Sequence, residues 1–228
     1  MAQVGPGGLE QTAATARAEG VEILDVTQAI AFDLEHPAQW SERQSVLRAA
    51  VDAARTLDAG IVYMTTGPAP GLSWEEAAAR FTDAIGPVND YARSLNVGLA
   101  IENTISLRAD LGFVHRLADA IDLAEQAGVA VVADLFAAWT ERDLEQVIKS
   151  SLPTITYFQV ADFVLGTLST PGRAVPGDGD IPIGRQLSWL REAGYEGMIE
   201  LELLGPRIDD EGIARASARA LTAIEAMI

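Results

Sequence analysis

The sequence predicts a parallel α/β fold of the (β/α) barrel type with six recognisable strands, short of a complete barrel on its N-terminal side. Three observations predict it. From residue 9 onward, amphipathic helical patterns alternate with short apolar or β-branched runs, the order expected of helices packed on parallel strands. The runs are almost continuously apolar, as strands covered on both faces must be. Four of them then end on a carboxylate or an amide: VGLAIEN reaches Glu102, VAVVAD reaches Asp134, ITYFQVAD reaches Gln159 and MIELEL reaches Glu202. A polar side chain near the end of a buried strand needs a special reason. In a (β/α) barrel the C-terminal strand ends converge on the active-site mouth, where oxygen ligands from separate strands can surround one hard divalent cation.

The strands are expected near residues 21–26, 60–65, 97–102, 129–134, 155–161 and 197–203. Helices are expected near 9–19, 42–58, 73–95, 112–127, 141–150, 184–193 and 210–227. Local chemistry supports the helix starts. Ser41 with Gln44 and Ser73 with Glu76 read as capping boxes, and Thr140 can accept from the first N–H groups of the next helix. Gly20, Gly60, Gly128 and Gly194 follow alanine-rich helices and precede strands, where a left-handed residue closes a helix without a Cβ penalty. The longest irregular segment, residues 162–183, is rich in Gly and Pro and follows the strand that carries Gln159. It reads either as a lid or as a solvent-exposed connector. A complete eight-stranded barrel typically takes about 250 residues. Because the first clear unit here is a helix followed by a strand, roughly two strands and a helix are expected to be missing. An open barrel would expose an edge, which predicts covering by a partner chain or by a homo-oligomer.

The 228 residues, 49% of them hydrophobic, suit one domain spanning 1–228. A formal net charge of −17 with no Lys/Arg cluster argues against nucleic acid as a partner. With no cysteine there is no disulfide framework, thiolate nucleophile or Cys-ligated zinc, and His36 and His115 are the only histidines. Any metal must therefore rest on oxygen ligands. The N-terminus lacks the pattern of a signal peptide and no uncharged apolar stretch reaches spanning length, so a cytoplasmic protein without membrane contact is expected.

Several motifs resemble one known group: LAIENT at 99–104, VVAD at 131–134, FQVAD at 158–162, VPGDGDIPI at 175–183 and GYEGMIELEL at 194–203. Over roughly residues 9–210 the chain resembles the xylose-isomerase-like TIM-barrel superfamily of sugar phosphate isomerases and epimerases. The resemblance implies one divalent metal, Mn²⁺ favoured over Mg²⁺, Co²⁺ or Zn²⁺, held by Glu102, Asp134, Gln159 and Glu202. It further implies that Glu102 and Glu202 are the catalytic acid/base pair, that Arg173 anchors the substrate from the lid, and that Trp139 walls the pocket. Two positions depart from the group. Gln159 stands where many isomerases have a metal-binding His, and Ala137 stands where many relatives have a His that contacts substrate or moves a proton.

Plainer readings stand beside these roles. Asp134 can cap the turn that follows it, Gln159 can be an ordinary buried hydrogen-bonding residue, and Arg173 can be solvated. Glu200 shares a strand face with Glu202, as a second inward acid or a rim residue. Asp162 reads as loop-supporting, Trp40 and Phe32 equally as packing or as early-loop walls, and neither histidine is assigned to catalysis. The expected activity is isomerisation or epimerisation of a sugar, cyclitol or related polyhydroxy carbonyl compound through an enediolate. The alternatives are a metal-dependent dehydratase or lyase resembling 3-dehydroshikimate dehydratase, and a noncatalytic binding subunit.

Overall fold

The computed structural model describes residues 8–228, and the chain divides into two compact units. The first comprises the described residues up to Glu102 with Asp110–Phe113 and Asp122–Ala130; the second comprises Asn103–Ala109, Val114–Ile121 and Val131–Ile228.

The first unit contains α1 (Gly8–Glu19), β1 (Asp25–Ile30), α2 (Trp40–Leu57), β2 (Ile61–Thr65), α3 (Trp74–Ser94) and β3 (Gly98–Glu102). The strands are parallel with β2 in the middle: Val62 pairs with Val26 on one side and with Leu99 on the other. Both long helices bury one stripe. In α2 it is Leu47, Ala50, Val51 and Ala54, and in α3 it includes Ala77, Phe81, Ala84, Ile85, Val88 and Ala92, the three-and-four spacing of a helix on a sheet. Ser73 begins α3 as the sequence implies: its side chain accepts from Glu76 N at 3.2 Å, while the Glu76 carboxylate accepts from Ser73 N at 2.9 Å.

Three local expectations are corrected. The first strand is β1 at Asp25–Ile30, because its ladder is set by pairing Asp25 with Ile61, and Val21–Leu24 only connect it to α1. Ser41 caps nothing, since α2 already begins at Trp40, and Gln44 instead donates to the Ala84 carbonyl of α3 at 2.9 Å. The left-handed residue closing α2 is Asp58, with φ of 61°, rather than Gly60.

The second unit carries the end of α4 nearest its start (α4 being Leu117–Ala127), then β4 (Ala130–Asp134), α5 (Leu135–Ala138), α6 (Leu144–Ser151) and β5 (Ile155–Val160). A two-stranded antiparallel ribbon of β6 (Asp162–Phe163) and β7 (Arg173–Ala174) follows, then α7 (Ile183–Glu192), β8 (Ile199–Leu201), α8 (Pro206–Glu211) and α9 (Ile213–Met227). Here β5 lies between β4 and β8, again parallel. Thr140 does not cap α6, which begins four residues later behind Asp143. The expected single helix over 210–227 is two, broken at Gly212, whose φ of 89° no helical residue adopts.

The segment 162–183 is more ordered than a free connector. Asp162, 1% exposed, accepts from four backbone N–H groups: Phe163 at 2.8 Å, Gly177 and Gly179 at 2.9 Å each, and Ile181 at 3.0 Å. A Cβ on Gly179 would stand 2.4 Å from the Asp162 carboxylate, so the turn closes only around glycine. Among the described residues no helix is long and apolar enough to cross a membrane.

Two stability outcomes follow. Ser73→Ala should cost about 1 kcal/mol in urea denaturation. Asp162→Ala, which strips a charged acceptor from four donors, should cost on the order of 3 kcal/mol and expose the 163–181 segment to limited proteolysis.

Candidate metal and acid cluster

The parallel register of the second unit builds a row of polar side chains. Asp134 pairs with Gln159 across β4 and β5, and Gln159 pairs with Glu200 across β5 and β8. Residues paired directly across a sheet point to the same face, so one carboxylate, one amide and a second carboxylate stand side by side. Gln159 is fully buried, and its Nε2 donates to Glu200 Oε2 at 2.8 Å. That bond turns the amide so that Oε1, the acceptor a cation would require, lies on the other side of the group. Glu202 follows β8, fixed by donation of its backbone N–H to the Val160 carbonyl at 3.1 Å, and it shares a face with Glu200 two residues before it. Carboxylate oxygens of Asp134 and Glu202 come within 4.8 Å of each other.

Asp134 is positioned by Asn103. The Asn103 side chain, fully buried, accepts from Asp134 N at 2.9 Å and donates to Asp134 O at 3.0 Å, fixing the strand end from both sides. The Asp134 carboxylate then does two things. Its Oδ1 accepts from Phe136 N at 2.9 Å, capping the short α5, and its Oδ2 accepts from Arg173 Nη2 at 3.0 Å. Capping and charge presentation thus coexist in one residue.

Arg173, on β7, is the cation of the cluster. It is buried, forms ion pairs with both Asp134 and Glu202, and its guanidinium carbon lies over the Phe136 ring, 4.2 Å from the centroid. Burial holds the Glu202 carboxyl well above the usual carboxylate range; Arg173 opposes that shift, while the neighbouring charges of Asp134 and Glu200 add to it. The group holds one guanidinium against three carboxylates, so it has capacity for more positive charge. Its donors are carboxylate and amide oxygens, the set that suits a hard divalent cation, and the residues present therefore fit a metal.

The other candidates are placed as follows. Glu102 closes β3 in the first unit, is 9% exposed, and is joined through one peptide bond to Asn103. Trp139 ends α5 and lines a cavity of about 210 Å³ together with Ala137. Phe32 is fully buried and Trp40 packs edge-on against it at 6.3 Å, donating from Nε1 to the Asp33 carbonyl, so both belong to the packing of the first unit. His36 bonds Asp33 at 2.9 Å and His115 bonds the Thr104 carbonyl at 3.0 Å, each a local tie. Two contributors escape a reading based on strand ends, Asn103 and Phe136. Asn103 follows a candidate ligand directly, in the first position where an amide can span to the next strand, and Phe136 sits two residues past Asp134.

A model for the xylose isomerase-like TIM barrel matches residues 2–224. The chain belongs to that family. Inosose isomerase from Bacillus velezensis is 22% identical over 197 residues, covering 83% of this chain and 70% of that protein. A protein of Sinorhizobium meliloti 1021 superposes with a TM-score of 0.83 at 25% identity, over 94% of this chain and 83% of the other. The IolI protein, solved with a zinc atom bound, gives the same TM-score of 0.83 at 18% identity, over 96% and 81% of the two chains. D-psicose 3-epimerase, solved in the presence of D-fructose, gives 0.75 at 19% identity, over 96% and 82%. The six parallel strands and their helices are thus those of the xylose isomerase-like TIM-barrel fold.

Removing the Asn103 amide tests how far the position of Asp134 rests on it. Asn103→Ala leaves a buried N–H and a buried carbonyl of Asp134 without their partner and should cost about 2–4 kcal/mol in urea denaturation.

Proposed function

We propose that the chain is a divalent-metal-dependent isomerase or epimerase acting on a sugar, cyclitol or related polyhydroxy carbonyl compound. The observation that carries this reading is the row of Asp134, Gln159 and Glu200 on three parallel strands, with Glu202 beside it. The family and its inosose isomerase and sugar epimerase relatives support it. Asp134, Gln159 and Glu202 hold the metal, with Glu102, adjacent in sequence to the Asn103 that fixes Asp134, as the further ligand. Oxygen donors of this kind suit a hard cation such as Mn²⁺ or Mg²⁺, of which we favour Mn²⁺.

A bound divalent ion supplies electrostatic stabilisation of charge developing on substrate oxygens, worth several kcal/mol. The chain's own residues do the rest. Glu202, its carboxyl shifted upward by burial, exchanges a proton with the carbon next to the carbonyl, and Glu102 serves the opposite face. Arg173 anchors a substrate oxygen, its guanidinium held over the Phe136 ring. Trp139 presents an apolar ring to the substrate beyond the acids.

Calorimetric titration with Mn²⁺ tests the site. Wild-type protein should show one site, weakened by at least about tenfold in Glu102→Gln, Asp134→Asn and Glu202→Gln, because each removes one charged ligand. Equal binding in wild type and all three variants would reject the metal centre. Incubating the loaded protein with inososes and ketoses in D₂O should place one solvent deuterium next to the carbonyl without loss of water, as read by NMR. Loss of water in place of exchange would identify a dehydratase.

A further inference from the structure

Beside the acid cluster, and within the same unit, lies the cavity of about 210 Å³. Its apolar walls include Leu107, Phe136, Ala137, Trp139 and Phe163; four serine and threonine residues line it as well, and no charged side chain does. The Phe136 and Phe163 rings meet edge to face, with centroids 5.9 Å apart at 74°, which fixes two walls. Phe136 is shared: one ring both lines the cavity and lies under the Arg173 guanidinium at 4.2 Å. A ligand bound at Asp134, Glu202 and Arg173 therefore reaches the cavity across the width of one aromatic ring. Ala137 contributes only a methyl group between Phe136 and Trp139, and that small side chain leaves the space open.

Three aromatic side chains give a planar ring faces to pack on. An apolar cavity of about 150 Å³ is enough to hold one benzene ring. Leu107 is 70% exposed, and Leu168, between the lining residues Thr167 and Ser169, is 93% exposed. Two leucines held in water at a cavity mouth lose that exposure when an apolar group covers them.

We infer that this cavity is a subsite for a planar apolar ring carried by the substrate, so that the substrate class of the proposed reaction extends to aryl-substituted polyhydroxy carbonyl compounds, such as an aryl glycoside with a ketone in its sugar ring. The inference rests on the reading that the acid cluster takes the polyhydroxy part. The ring stacks among Phe136, Trp139 and Phe163 while the polar part faces Asp134, Arg173 and Glu202.

Phenyl β-D-glucopyranoside and methyl β-D-glucopyranoside are suitable probes, titrated into the Mn²⁺-loaded protein and followed by calorimetry and saturation-transfer NMR. The phenyl compound should bind at least about tenfold more tightly, the effect expected of burying one ring, with its aromatic protons receiving the strongest transfer. Ala137→Phe fills the space and should bring the ratio close to one. Trp139→Ala, at a half-buried position that removes a wall, should lower the ratio as well and serves if the first variant does not fold. Equal affinity for the two probes, no binding of either, or a preference that survives both substitutions overturns the subsite. Mn²⁺ affinity, measured in the same titrations, separates the two readings. An intact metal site without aryl preference rejects the subsite alone, and aryl preference without a metal site rejects the metal-dependent function alone.

Discussion

Burying carboxylates is costly, and the second unit is organised around three of them. Asp134 is buried at the end of β4, and Glu200 and Glu202, half-buried on and just after β8, stand beside it, each given a specific partner. Gln159 serves Glu200 with a hydrogen bond, while Arg173 serves Asp134 and Glu202 with one planar guanidinium. Removing one partner from such a group strands a buried charge, which is why these interactions act together rather than as separable contacts. The same crowding of negative charge prepares the site for a cation, since each acid raises the cost of ionising its neighbour.

Holding Arg173 in place falls to the ribbon of β6 and β7 and to Asp162. Phe163 pairs with Arg173 across the ribbon, and the Asp162 carboxylate collects the N–H groups of the 177–181 turn that returns the chain to α7. At the far end of this segment Asp178 is tied to Arg219 of α9, and the adjacent guanidinium holds the Asp178 carboxyl below its ordinary range. A segment rich in Gly and Pro is thus fixed by two aspartates, one buried and one exposed. The exposed pair contributes little by itself in water, so the buried carboxylate is the element that sets the position of the guanidinium.

The parallel α/β class was legible because apolar runs and helical stripes alternate cleanly, and strand ends were legible because Asp134, Gln159 and Glu202 interrupt apolar runs. Structure brings these three side chains into one group. What misled lay in local chemistry. Ser41 carries a capping signature that α2 overrides by starting a residue earlier, since Trp40 packs on the buried Phe32. Val21–Leu24 have strand composition, but strand identity depends on which residues meet β2. Residues 162–183 read as irregular because their order comes from one acid bonding N–H groups up to nineteen residues away, a relation without periodicity.

Pattern and composition determined the architecture, the absence of thiol chemistry and the residues standing at strand ends, because burial on both faces leaves a period and an exception that can be read along the chain. Tertiary structure alone decided what those exceptions meet. It made Asn103 the clamp on Asp134, gave Arg173 two carboxylates at once, and set Phe136 between that guanidinium and an apolar cavity. Each of these depends on strand register and on where a ribbon folds back, and a shift of one residue in either would turn the side chains to the opposite face.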